Sequence, residues 1–88
     1  MKAILTVIGK DKVGIIAGIS SELKNLNVNI LDVNQTIMGD SFAMMMMVDI
    51  NSSENFDKIK DSLIAKGEEL EVEVKIQREE IFKSMHTI

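Results

Sequence analysis

A polar loop with glycine at both ends, Gly9-Lys10-Asp11-Lys12-Val13-Gly14, divides a strand-like run from a helix-like one and constrains the fold more than any other stretch. Before it, Ile4 to Ile8 is apolar on both alternating faces, with Ala3, Leu5 and Val7 one way and Ile4 and Ile8 the other. That pattern suits an interior strand. After it, Ile15, Ile16, Ile19, Leu23 and Leu26 recur at helical spacing and predict a buried stripe. Gly18 weakens this helix by about 1 kcal/mol relative to alanine, or lets it approach the sheet closely. Asn25 and Asn27 mark its end, because asparagine tolerates the left-handed cap geometry.

Such a loop presents backbone N–H groups at a helix N-terminus, where the helix dipole favours an anion. Asn29 opens the next strand. If the two strands are neighbours, Asp11, the amides around Val13 and Gly14, and Asn29 are expected to line one small-ligand pocket. Each has a structural alternative. Asp11 stands where an N-cap carboxylate would sit, Gly14 serves backbone packing, and Asn29 satisfies a backbone group at the start of its strand.

Val28 to Met38 reads as an edge strand, with Leu31, Val33 and Ile37 on one face and Ile30, Asp32, Asn34 and Thr36 on the other. Gly39-Asp40 then makes a two-residue hairpin loop, glycine supplying the positive φ of a primed turn. Ser41 to Ile50 follows as a strongly apolar strand. Ser52 and Ser53 suit a helix cap, with Glu54 and Asp57 in its first turn. Phe56, Ile59, Leu63 and Ile64 give the stripe of this second helix, and Lys66-Gly67 is expected to close it. Leu70, Val72, Val74 and Ile76 alternate with Glu71, Glu73, Lys75 and Gln77, the clearest one-face-buried strand. Ile81, Phe82, Met85 and Ile88 return to helical spacing in a tail from residue 79 to 88.

The order is strand, helix, strand, strand, helix, strand and a short terminal helix. It predicts an α+β, ferredoxin-like βαββαβ sandwich, an antiparallel sheet in the order 4-1-3-2 with both helices on one face. At 88 residues the chain is expected to be one domain, marginal alone and stabilised by dimerisation.

Chemistry is sparse. There is no cysteine, which removes thiolate metal sites and thiol nucleophiles. His86, the one histidine, stands near the end without a partner. With no nucleophile and base together, the chain is read as no enzyme, with no catalytic residues, cofactor or metal site. The sulfurs of Met44-Met45-Met46-Met47 are soft ligands, but alternation on a strand sends them to opposite faces, which favours packing over copper. The loop lacks the Lys-Ser/Thr of a phosphate loop, since Ile15-Ile16 follow Gly14. A net charge of −4, no basic stripe and three aromatics argue against direct nucleic-acid binding. No apolar run nears the roughly 20 residues of a membrane span, and Lys2 to Ile8 is too short for a signal peptide. A cytoplasmic location is expected.

Asp11-Lys12-Val13-Gly14-Ile15-Ile16-Ala17, the preceding strand, the helix ending at Leu26 and Val28-Asn29-Ile30 together resemble an ACT domain, the small regulatory module of amino-acid metabolism. The resemblance spans Met1 to Gln77 and is nearest to free-standing single-domain members. It extends to the N-terminal half of glycine-cleavage repressors and to the ACT modules of formyltetrahydrofolate deformylases. In better understood members, amino acids bind at subunit interfaces, by the loop before the first helix and the start of the second strand. By position, the polar loop residue corresponds to Asp11, the close-approach glycine to Gly14 and the second-strand amide to Asn29. Serine-sensing members carry a histidine where this chain has Gly9 and commonly an amide where it has Asp11. A carboxylate there repels an amino acid's carboxylate and can accept from its ammonium.

The resemblance implies a non-enzymatic regulatory module binding an amino acid or similar metabolite as a homodimer. The alternative is an interaction module without a small ligand, acting on itself or on a partner enzyme. Because Phe42 to Val48 is apolar on both faces and two helices cover only one, the dimer interface is expected to use methionines and the tail.

Overall fold

The computed structural model describes residues 1–51 and 55–85. The elements are β1 (Lys2–Lys10), α1 (Ile15–Asn25), β2 (Asn29–Met38), β3 (Ser41–Asp49), α2 (Phe56–Leu70), β4 (Val72–Arg78) and α3 (Glu79–Met85). The strands form one antiparallel sheet in the order β2-β3-β1-β4, the expected order read from its other edge. The apolar strands β1 and β3 are interior, and β2 is an edge.

Alternation sorts the sheet into two faces. Ala3, Leu5 and Val7 of β1, Phe42, Met44, Met46 and Val48 of β3, and Val72, Val74 and Ile76 of β4 are buried on one side. Against that side pack Ile15, Ile19 and Leu23 of α1 and Ile59 and Leu63 of α2. Fully burying each such side chain contributes about 1.5–3 kcal/mol, which holds the helices on this face. Ile16, expected in the stripe, is 41% exposed. It lies about 100° round the helix from Ile15, outside the row at positions 15, 19 and 23.

Three local expectations are corrected. α2 does not stop at Lys66-Gly67 but runs to Leu70, with Glu71 at φ 60° as its cap. Gly67 is instead a contact point: a Cβ there would stand 2.5 Å from Val74 Cγ2 and 3.0 Å from the Val72 carbonyl oxygen. Gly18 makes room for α2 and not for the sheet, since its Cβ would lie 2.8 Å from Leu70 Cδ1. In β2 a bulge between Ile30 and Asp32 breaks the period of two. Ile30 therefore stands opposite Val48 on the core side, while Asp32 stands opposite Met47 on the other.

The hairpin turns at Gly39-Asp40, with Gly39 at φ 64°. Asp57 lies in the first turn of α2, whose N-cap is Asn55 without a side-chain bond. The capping assigned to Ser52, Ser53 and Glu54, the Met85 side chain, and His86 and Ile88 lie outside the described residues. α3 lies against β1 and β4. Among the described residues no helix is long and apolar enough to cross a membrane.

Candidate functional site

The loop after β1 is held at both ends. The Asp11 N–H donates to the Asp40 carbonyl at 2.7 Å, pinning the loop's entry to the hairpin. At its exit Gly14 is the N-cap of α1 with φ 96° and no side-chain capping bond. Asp11 is therefore not the cap, which corrects one alternative read from the sequence. Gly14 is there for its backbone angle and not for packing, because a Cβ on it would meet nothing within 4 Å. No acidic residue stands in the first turn of α1. Its leading N–H groups are left to solvent or a ligand. Val13 projects fully into solvent at 103% exposure, and Asp11 is exposed beside it. Lys12 Nζ lies 3.2 Å from Glu71 Oε1, tying the loop to the end of α2.

Asn29 is elsewhere. It pairs with Asp49, which pairs with Lys2, at the end of the sheet where β1 begins. Asp11 follows Lys10, which pairs with Ser41, which pairs with Met38, at the end where β1 finishes. The two ends are about 26 Å apart along the strands, and β3 separates β1 from β2. The single pocket expected from sequence therefore does not form within one protomer. The parallel relation of β1 and β2 is the cause: α1 carries the chain back across the sheet before β2 starts.

What surrounds Asn29 is a cleft of about 390 Å³ at the C-terminal end of α1, with Leu23, Val28 and Ile30 on its apolar side. Ser20, Lys24, Asn27 and Asn51 line it beside Asn29. Asn51 Nδ2 donates to the Asn27 carbonyl at 3.2 Å, bridging the end of β3 to the turn before β2. Lys24, Asn27 and Asn51 were not singled out as site residues. The signal available was the pairing of β3 with β2, which must bring the residue after Ile50 beside the start of β2. Among the described residues no group of three or more His, Cys, Asp or Glu side chains could hold a metal ion.

The fold has known counterparts. The family model described as ACT domain matches residues 2–77. A UPF0237 protein of Listeria innocua is 58% identical over 100% of both chains. One from the archaeon Methanocaldococcus jannaschii is 51% identical over 99% of this chain and 98% of its own. Among solved structures, an ACT domain protein from Streptococcus pneumoniae superposes with a TM-score of 0.84 at 41% identity, covering 93% of each chain. A putative glycine cleavage system transcriptional repressor shares the fold with a TM-score of 0.77 at 20% identity, over 86% of this chain and 44% of that one. The loop before α1 and all of the sheet except Arg78, the last residue of β4, fall within the matched residues. The chain belongs to the ACT domain family.

Proposed function

We propose that the chain is a non-catalytic regulatory module that binds an amino acid or similar small metabolite between two copies of itself. The observation that carries this reading is the placement of the two half-sites at opposite ends of an exposed edge strand. β2 is ten residues long, and nine of its ten residues are exposed or nearly so along an edge with free backbone donors and acceptors. Leu31, Val33, Ile37 and Met38 are 43%, 45%, 51% and 73% exposed on it. Such an edge is a template for pairing with another chain.

A two-fold axis that pairs β2 with its own copy runs the two strands antiparallel. Asn29 of one copy then stands beside Met38 of the other, at the end that carries the other copy's Asp11 to Gly14 loop. Two equivalent sites result, each with an ammonium acceptor in Asp11, backbone donors at the start of α1, and the Asn29 amide from the second copy. Lys24, in the cleft with Asn29, supplies a cation for a carboxylate. The ligand class that fits is a small zwitterion. ACT domains are regulatory modules that often bind amino acids, as the resemblance implies, and a separate enzyme is the natural recipient of the signal.

The test is thermal unfolding across an amino-acid panel. A ligand bound by the native state alone raises the Tm with concentration. The reading predicts such a rise for at least one zwitterion and its loss in Asp11→Ala. A panel that leaves the Tm unchanged supports the alternative, an interaction module that binds no small molecule.

A further inference from the structure

The cleft around Asn29 carries one kind of charge, and it is positive. Its polar lining is Ser20, Lys24, Asn27, Asn29 and Asn51, with no aspartate or glutamate among the residues that form it. Lys24 makes no ion pair among the described residues. Asp49 stands opposite Asn29 in the sheet, but its carboxylate is engaged elsewhere, with Oδ1 3.2 Å from the Met1 ammonium.

Backbone acceptors near Lys24 are also engaged. A helix ends in carbonyls that have no partner within the helix. At the end of α1 the Leu26 N–H donates to the Glu22 carbonyl at 3.0 Å, the Val28 N–H to Leu23 at 2.9 Å and the Asn27 N–H to Lys24 at 3.0 Å. The Asn27 carbonyl takes Asn51 Nδ2 at 3.2 Å. The helix dipole alone accounts for a lysine in the last turn. It does not account for three amides gathered round that lysine with no acid among them.

We propose that this cleft seats the side-chain carboxylate of the ligand, so that the metabolite is an acidic amino acid of the aspartate or glutamate class. The proposal rests on the site shared between two copies and adds the group that selects within it. In that site the free N–H groups at the start of α1 take the α-carboxylate and Asp11 takes the ammonium. Both belong to one copy, whereas Lys24 stands with Asn29 on the other. A neutral zwitterion satisfies the first pair and leaves the Lys24 ammonium to water. A ligand with a second carboxylate engages both halves, and its methylene groups lie against the apolar side of the cleft. The volume of about 390 Å³ falls in the range of small-ligand clefts, roughly 300–1,000 Å³.

Calorimetry on the full chain tests the proposal with aspartate, glutamate, their amides asparagine and glutamine, and serine as a neutral reference. The preferred acid is expected to bind at least about ten-fold more tightly than its own amide, because a charge-assisted contact replaces a neutral one. Lys24 is exposed, so Lys24→Gln is expected to keep the fold, which circular dichroism checks. In that variant the preference should disappear, with the acid falling to the affinity of its amide. Lys24→Arg keeps the charge and is expected to keep the preference. An amide bound as tightly as its acid by the wild type, or a preference that survives in Lys24→Gln, overturns the proposal. Serine bound more tightly than either acid, with binding still lost in Asp11→Ala, overturns it and leaves the proposed function standing. A chain that binds none of the five overturns the proposal as well, and a wider amino-acid panel then decides the proposed function by itself.

Discussion

Gly67 is pressed against Val74 so closely that a Cβ on it would stand 2.5 Å from Val74 Cγ2, with the Val72 carbonyl oxygen 3.0 Å away. Helix propensity alone would make Gly67→Ala stabilising by about 1 kcal/mol. The contact reverses the sign, since β4 backbone cannot yield as a side-chain end can. Overpacking of this kind costs about 1–3 kcal/mol. Chemical denaturation is expected to show Gly67→Ala less stable than wild type. Gly18→Ala meets only the end of the Leu70 side chain and is expected to be close to neutral. Equal effects at the two positions would contradict this packing.

Gly14 offers the opposite case, because space around it is open and only φ 96° restricts it. Gly14→Ala is expected to lose roughly 1–2 kcal/mol through backbone strain in the left-handed region. Denaturation midpoints measure the loss, and an unchanged midpoint would mean the loop relaxes freely.

Adjacent methionines separate the two faces of the sheet. Met46 is 1% exposed and Met45 41%. Met46→Ala is expected to cost about 2–5 kcal/mol, as truncations in a packed core do. Met45→Ala is expected to cost far less at concentrations low enough to dissociate any assembly. Comparable losses under those conditions would show that the open face is packed within the protomer.

The order of strands and helices was legible because each element carries its own period, and the interior place of β1 and β3 followed from apolar residues on both faces. Two kinds of information were not. Glycines signal permission and not purpose: Gly67 read as a helix end and is a packing contact, while Gly14 read as packing and is a backbone angle. Strand direction was the larger omission. Asp11 and Asn29 each lie beside an end of a strand, but which ends share an edge of the sheet depends on α1 crossing back, and sequence spacing does not contain that distance. The bulge at Ile30 and Asp32 was hidden for a related reason, since it depends on the partner strand β3.

Asp11 makes no capping bond to α1, so the cost of about 0.5–2 kcal/mol that accompanies loss of a cap should be absent. Asp11→Ala is expected to leave the denaturation midpoint of the free protein within about 0.5 kcal/mol of wild type, as for an exposed surface position. The same substitution is expected to abolish stabilisation by ligand. A large loss of stability without ligand would return Asp11 to a structural role.

The central claim is that each site takes Asp11 from one copy and Asn29 from the other, and a mixing experiment measures it directly. Asp11→Ala and Asn29→Ala chains are each expected to bind no ligand by calorimetry, using the amino acid that stabilises the wild type. Unfolded together in equal amounts and refolded, half of the dimers combine one chain of each kind. In every mixed dimer one site keeps both native residues, so about a quarter of all sites should recover. Recovery near that fraction is the predicted result. No recovery on mixing, with both variants folded and dimeric, would contradict a site shared between two copies.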